Sequence, residues 1–358
     1  MNHLRRTSRS PGWGGAFSPA DKSGLGAGRL LTMELELSRS CDLRCIYCYA
    51  GSGLALDEEL GLDELRRVAD EARGLGARKI VVLGGGEPLN SPHLVPLLDH
   101  LRGLGVDIEL FTNGVRLDRA MAELLAGLGA SVVVKMNSLR PEVQDLLAGK
   151  AGAFRAIRAG LDCLREAGYP GPGRKLGAQT VICRHNLAEL PAMWRWLRSR
   201  GIIPYFESIT LQGRARAHPE LLVAPEELHA ALEGLAGLDA REFGIAWEPH
   251  PPVAAFNCDR HEYSCTVTAA GGVLPCPGVD IEVGNVRRAP LGEILAASPV
   301  IRDLRNVRAR IKGACRDCDL AAECYGCRGM AYQATGDYLA ADPLCRRTAR
   351  AAASRNGD

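Results

Sequence analysis

Cysteine is the residue type in this chain best suited to chemistry. Of 13 cysteines, three fall at positions 41, 45 and 48, eight lie between 258 and 345, and Cys163 and Cys183 stand apart. In a reducing compartment, closely spaced thiols are metal ligands more often than disulfide partners. The first group reads Cys41-Asp42-Leu43-Arg44-Cys45-Ile46-Tyr47-Cys48. Spacings of four and three residues let three thiolates converge from one loop on one centre. A four-iron cluster takes four ligands, so three leave one iron open. An open position is what distinguishes catalytic zinc from structural zinc, and the same logic makes this a reactive centre. A zinc site or a structural cluster is the alternative.

The second group comprises Cys258, Cys265, Cys276, Cys315, Cys318, Cys324, Cys327 and Cys345. Eight thiolates divide into two sets of four, enough for two fully ligated four-iron clusters. Their paired spacing also permits two zinc ribbons. Cys163 shares a small-residue helix face with Ala156, Gly160 and Ala167 and reads as packing. Cys183 ends a strand and also reads as packing, with substrate contact as the alternative.

The elements that must position these groups alternate between two periodicities. Met33–Leu37 alternates in period two, and Leu62, Leu65, Val68, Ala69, Ala72 and Leu75 form a helical stripe. Strands are then expected at Lys79–Leu83, Ile108–Phe111, Val132–Met136, Ala178–Ile182 and Ile203–Phe206, with helical patterns between them. Successive βα units imply a parallel sheet with right-handed crossovers. Six units are too few for an eightfold barrel, so the expected fold is α/β, a partial (β/α)6 barrel. An ordinary doubly wound sheet is the alternative. The polar groups favour the barrel, because Cys41–Cys48, Gly84–Glu87, Thr112–Gly114, Asn137-Ser138, Arg184–Asn186 and Glu207-Ser208 all follow strand carboxyl ends. Residues 1–30 and 349–358 read as tails, the first as mobile. Residues 31–245 read as the barrel domain, and 246–348, opening at Pro249, Pro251 and Pro252, as a small metal-held domain.

The 358 residues suffice for about two domains. A net charge of +2 with no basic run gives no sign of a nucleic-acid partner. No run approaches the ~18 apolar residues of a membrane span, and no secretory signal pattern is present. A cytoplasmic protein is expected.

The Cys41-x3-Cys45-x2-Cys48 loop, with Tyr47 before the last cysteine, resembles the signature of the radical S-adenosylmethionine (SAM) superfamily. Gly85-Gly86-Glu87-Pro88 resembles that family's GGE motif. The resemblance implies SAM on the open iron and reductive cleavage to a 5′-deoxyadenosyl radical that abstracts hydrogen. It also implies cofactor contacts from Tyr47, Gly85, Gly86 and Glu87, and from Asn113, Asn137, Ser138 and Arg184. Glu87 offers an acceptor to the SAM ammonium. The later cysteines, with Gly271-x4-Cys276, resemble a SPASM domain, which implies three [4Fe-4S] clusters in all. Carried over, the family's interleaved ligation assigns Cys258, Cys265, Cys276 and Cys327 to an inner auxiliary cluster. Cys315, Cys318, Cys324 and Cys345 would hold the outer one. Only two residues separate Cys324 from Cys327 where the family has three, and displacement of Cys258 or Cys265 would leave an open iron.

In sulfatase maturases of similar layout an aspartate base directly follows the cysteine matching Cys276. Here that residue is Pro277, which leaves Asp280 as the catalytic candidate. The resemblance implies a maturase acting on a peptide, protein side chain or cofactor precursor, with flavodoxin or ferredoxin as reductant. The segment before the first strand is too short for a peptide-recognition domain, so a separate recognition protein is a further expected partner. Resemblance to radical SAM decarboxylases of haem biosynthesis makes a tetrapyrrole the second reading. A non-catalytic electron-transfer protein is the third.

Overall fold

A computed structural model describes residues 12–13 and 17–349. Its centre is one nine-stranded sheet in the order β6-β5-β4-β3-β2-β1-β7-β8-β9. The first six strands are β1 Thr32–Glu36, β2 Lys79–Leu83, β3 Asp107–Thr112, β4 Ser131–Lys135, β5 Leu176–Ile182 and β6 Ile203–Ser208. All five pairings among them are parallel, with Thr32 opposite Lys79 and Glu36 opposite Leu83. This is the expected open, partial barrel.

Parallel strands need crossovers, and amphipathic helices supply them. The helices are α1 Pro19–Lys22, α2 Leu62–Gly74, α3 Leu94–Gly103, α4 Arg119–Gly127, α5 Pro141–Ala148, α6 Ala153–Glu166, α7 Leu190–Arg198 and α8 Pro225–Leu238. The α2 stripe buries Leu65, Val68, Ala69 and Ala72. Asp118 caps α4 by accepting from the Met121 amide at 2.8 Å. Outward strand residues such as Met33, Leu35, Ile80, Val82 and Val132 meet these helices in the main core. Each fully buried aliphatic side chain contributes roughly 1.5–3 kcal/mol. Inward residues including Glu34, Val81, Phe111, Lys135, Gln179 and Tyr205 line a cavity instead.

Later parts of the chain cover both flanks of the barrel. Strand β7, Ser264–Val267, joins β1 in parallel, with Cys265 opposite Met33 and Thr266 opposite Glu34. Strands β8 Gly272–Leu274 and β9 Gly284–Asn285 extend that edge antiparallel. On the other flank, the expected linker runs beside β6: the Ser208 amide donates to Pro252 O at 2.8 Å and the Ala254 amide to Phe206 O at 2.8 Å. Beyond them come α9 Leu291–Ala297, α10 Pro299–Arg305, α11 Val307–Arg310 and α12 Arg328–Thr335. Val273, Leu291, Leu295 and Ile301 from this region pack into the main core, so it shares the barrel's apolar interior.

The mobile tail expected over residues 1–30 is corrected over its described part. Trp13 is only 5% exposed and donates from Nε1 to Glu109 at 3.2 Å, near the amino ends of the strands. It packs with Val133, Tyr205 and Val253, plugging the barrel opposite the polar rim. A Cβ on Gly177 would come within 2.5 Å of its ring, so glycine makes room for the plug. Lys22 pairs with Asp259, and Arg305 donates to the carbonyls of Gly26, Ala27 and Arg29. Residues 1–11, 14–16 and 350–358, including nearly all of the expected carboxyl-terminal tail, lie outside the described residues.

Candidate active site

The loop that leaves β1 carries Cys41, Cys45 and Cys48 to the carboxyl end of the barrel, where all three line a cavity of about 320 Å3. Neighbouring elements fix the loop by its backbone. The Arg44 amide donates to Ala148 O at 3.0 Å and the Ile46 amide to Leu147 O at 3.1 Å, both carbonyls at the end of α5. Arg214, just after β6, donates to Cys45 O at 2.9 Å and to Ser52 O at 2.8 Å, while its own amide reaches Cys48 O at 3.0 Å. Burial pushes the Cys41 thiol up to about 11 and raises that of Cys45 as well. Such thiols ionise at neutral pH only with a metal to hold them, so loading releases protons. The donor set fits an iron–sulfur centre: three soft ligands, each half-buried, on one cavity wall. A zinc tetrahedron with ~2.3 Å bonds would bring its sulfurs within about 3.8 Å of one another. Among the described residues no three such donors close on a single-ion site.

The turn after β2 docks directly on this loop. The Gly86 amide donates to Ser38 O at 2.6 Å and that of Glu87 to Ser40 O at 2.8 Å. A Cβ on Gly86 would lie 2.1 Å from Ser40 O, so only glycine permits the approach. Gly85 and Gly86 both line the cavity. The Glu87 carboxylate, 2% exposed, is occupied from within the protein. It accepts from Thr112 Oγ1 at 2.6 Å, the Asn113 amide at 2.6 Å and the Leu89 amide at 3.1 Å. Burial outweighs these bonds and pushes its pKa up to about 7. Glu87 thus braces the β3 turn, and Asn113 stands on the cavity wall, donating to Asp42 at 2.8 Å.

Tyr47 also lines the cavity, its ring 5.2 Å from Lys135 Nζ. Its hydroxyl accepts from Asn137 Nδ2 at 2.6 Å, so Asn137 reaches the site only through Tyr47. Asn137 is fully buried, and its Oδ1 accepts from the Val181 amide at 2.8 Å. Ser138 is fully buried as well and donates to Glu189 at 2.6 Å. Neither lines the cavity, which corrects the expectation of direct cofactor contacts. Arg184 is corrected too: it is exposed and held by both oxygens of Glu227, at 2.6 and 2.7 Å. Asp280 is exposed, accepts from Gln212 at 3.0 Å and Gln333 at 2.7 Å, and does not face the cavity. A general base needs reach to the reacting proton, and Asp280 meets the cavity wall only through Gln212.

The same cavity wall holds Cys258, Cys276 and Cys327. The Cys258 charge acts on both of the others, which places the three together. Cys265 is not with them. It lies 1% exposed in the main core, and the charges acting on it are Arg305 and Glu34. The reason is strand periodicity: Thr266, its neighbour, points inward and donates to Glu34 at 2.7 Å, so Cys265 points outward. Cys315, Cys318, Cys324 and Cys345 gather around a separate cavity of about 150 Å3. Cys183 packs with Leu147 and Ile209, and Cys163 against the main core, as expected.

Several further residues shape the site. Lys135 and Glu207 face each other inside the barrel at 3.8 Å, and Gln179 donates to Glu207 at 2.6 Å. Their inward phase was readable from the period-two strands. Arg328 is 1% exposed, with one amino group donating to Tyr338 O and Ala340 O while Nε and Nη2 have no protein partner. Buried Asp342 accepts from the Cys327 amide at 2.7 Å, and its own amide approaches Cys315 Sγ at 3.5 Å. It therefore ties the two late cysteine groups together. Adjacency to Cys327 and Cys345 was the available signal for both residues.

Residues 35–197 match the radical SAM superfamily, and residues 258–319 match the SPASM iron–sulfur cluster-binding domain. The PqqA peptide cyclase of Streptomyces rochei is 31% identical over 337 residues, covering 87% of this chain and 88% of that protein. The chain belongs to the radical SAM superfamily. It is a SPASM-type radical SAM enzyme, which uses SAM and iron–sulfur clusters. The AdoMet-dependent heme synthase of Methanosarcina barkeri is 28% identical over 338 residues, covering 87% of this radical SAM enzyme and 94% of that one. Streptococcus suis SuiB bound to its precursor peptide SuiA shares the fold, with a TM-score of 0.69 at 15% identity over 89% of this chain and 76% of that one. AdoMet-bound anSMEcpe gives 0.68 at 16% identity over 91% and 99%. Among the described residues no helix is long and apolar enough to cross a membrane.

Proposed function

We propose that this radical SAM enzyme is an oxidative maturase that abstracts hydrogen from a peptide, protein side chain or cofactor precursor. One observation carries the reading. Cys41, Cys45 and Cys48 share a single cavity with Cys258, Cys276 and Cys327, above a floor of Lys135, Glu207 and Gln179. A substrate in that cavity would lie between a radical-generating centre and an electron acceptor, within reach of hydrogen-bonding groups that suit an amide backbone. Bound at the Cys41 loop, an iron–sulfur cluster supplies the electron that cleaves SAM to a 5′-deoxyadenosyl radical. Two further clusters, one at Cys258, Cys276 and Cys327 and one at Cys315, Cys318, Cys324 and Cys345, bring the total to three. Tyr47, Gly85, Gly86 and Asn113 are the wall residues we assign to SAM. Flavodoxin or ferredoxin is the reductant of matching class, a separate recognition protein is a candidate partner, and a reducing cytoplasm is the compartment that suits these thiols. We place the domain boundary near residue 246.

Similarity to the peptide cyclase and the SuiB–SuiA fold supports a peptide substrate. Similarity to the heme synthase supports a tetrapyrrole as the second reading. Anaerobic incubation with SAM and dithionite tests the activity: 5′-deoxyadenosine is expected from the parent and none from Cys45→Ala, which retains its auxiliary-cluster signals. No product from the parent would favour an electron-transfer protein. Deuterium transfer into 5′-deoxyadenosine from labelled precursor peptides, set against labelled porphyrins, separates the two substrates.

A further inference from the structure

We propose that Ser52 is a positioning residue that tunes the SAM-binding centre: its hydroxyl donates to the Cys48 thiolate and makes the centre easier to reduce. The inference rests on the iron–sulfur centre of the Cys41 loop and not on the choice of substrate. Three observations carry it. First, Ser52 Oγ lies 3.2 Å from Cys48 Sγ, where either atom of the free protein can donate. Ligation takes the thiol as thiolate, which has no proton to give, so on loading the hydroxyl becomes the donor. Ser52 is 4% exposed and stands on the cavity wall, where water competes poorly for that proton.

Second, the backbone fixes where the hydroxyl points. Arg214 Nη1 donates to Ser52 O at 2.8 Å, and the Arg214 amide donates to Cys48 O at 3.0 Å, so one residue holds both ends of the contact. Gly53 is pinned across the loop: its amide donates to Arg39 O at 2.9 Å, and its carbonyl accepts from the Cys41 amide at 3.0 Å. Third, the three thiols are served by different groups. Cys41 Sγ accepts from the Leu43 amide at 3.4 Å, while the charges of Lys135 and Arg214 act on Cys45. Ser52 gives Cys48 a donor of its own, and its loss costs the loop no charge and no backbone bond. An electron added to an iron–sulfur centre puts more negative charge on its sulfurs, and a hydrogen bond strengthens with the charge of its acceptor. The reduced form therefore gains more from Ser52 than the oxidised form, which raises the potential.

Redox potentiometry of the anaerobic holoenzyme, followed by EPR, provides the test. The signal that changes on adding SAM reports the Cys41 loop, and the auxiliary signals serve as internal reference. At a fixed potential, Ser52→Ala should lower the reduced-to-oxidised ratio of the SAM-responsive signal about tenfold, or about 59 mV to the negative for one electron. The auxiliary ratios should stay where they are. Ser52→Thr keeps the hydroxyl and should remain within about twofold of the parent, whereas Ser52→Val, of the same shape, should fall with Ser52→Ala. A parent-like ratio in Ser52→Ala would overturn the proposal. An equal shift of the auxiliary signals would overturn it too, because the substitution would then have loosened the whole protein. If Ser52→Ala fails to hold its cluster, the threonine and valine variants decide: equal ratios overturn the proposal, and a several-fold gap upholds it. None of these readouts needs turnover. The expected shift in a protein that forms no 5′-deoxyadenosine would uphold this inference and sink the function proposed above.

Discussion

Replacing Glu87 by glutamine tests the balance of forces under the GGE turn. The carboxylate is 2% exposed and accepts three hydrogen bonds, yet burial still pushes its pKa from 4.5 up to about 7. At about 1.4 kcal/mol per pH unit, that difference corresponds to roughly 3 kcal/mol. Because the folded-state value is raised, the native protein holds the proton that the unfolded chain releases near 4.5. Stability contributed here is therefore largest below that pH, falls as pH rises toward 7, and the cost is complete above it. Glutamine does not titrate, so the slope disappears. Its amide oxygen can keep Thr112 and Leu89, but its NH2 then faces the Asn113 amide, a donor against a donor, costing about 1–3 kcal/mol at every pH. The variant should be the less stable protein in acid and gain on the parent by roughly 3 kcal/mol on the alkaline side. Isotope-edited infrared difference spectra of the anaerobic holoenzyme, parent minus Glu87→Gln, read the proton directly. A protonated-carboxyl band that titrates away near 7 is expected. A midpoint at or below about 4.5, the ordinary carboxylate range, would refute the reasoning, since three hydrogen bonds would then outweigh desolvation.

Three further predictions concern residues away from the cavity. Asp280→Ala should change the rate of 5′-deoxyadenosine formation by no more than about two-fold, as expected of an exposed position; a loss near a hundredfold, the order a general base supplies, would restore its catalytic role. Trp13→Ala removes the barrel plug and should cost about 3 kcal/mol, seen as a lower thermal midpoint; an unchanged midpoint would detach residues 12–13 from the fold. Asp239 is fully buried and accepts from Trp194 at 2.6 Å, Arg198 at 2.7 Å and Trp247 at 3.0 Å. Asp239→Asn removes the carboxylate charge that pairs with the buried Arg198 guanidinium and should cost about 3 kcal/mol, read by urea titration.

Residues whose role follows from their own type and spacing were legible in advance. The Cys41 loop and the glycine turn announce themselves within short windows, the outer four cysteines follow from the SPASM resemblance, and period-two strands revealed the βα order. What escaped was set by direction and distance in three dimensions. Cys265 looked like a ligand because spacing counts residues and ignores which face of a strand they occupy. Asn137 and Ser138 sit on the rim in sequence, but Tyr47 and Glu189 take up their side chains. Arg184 and Asp280 found partners across the surface, Glu227 for one and Gln333 for the other. Trp13 lies in a stretch with no periodicity, and partners about a hundred or more positions away, Glu109 and the Val133–Tyr205–Val253 cluster, explain its place.

The way β7 lies along β1, and residues 251–255 along β6, bears on how such a chain can be dissected or rearranged. A fragment ending before residue 246 would present two bare rows of amides and carbonyls, an invitation to sticky self-association. The catalytic half therefore cannot be lifted out as a freestanding module. Rearrangements that keep the cysteine-rich companion attached are expected to leave both edges covered.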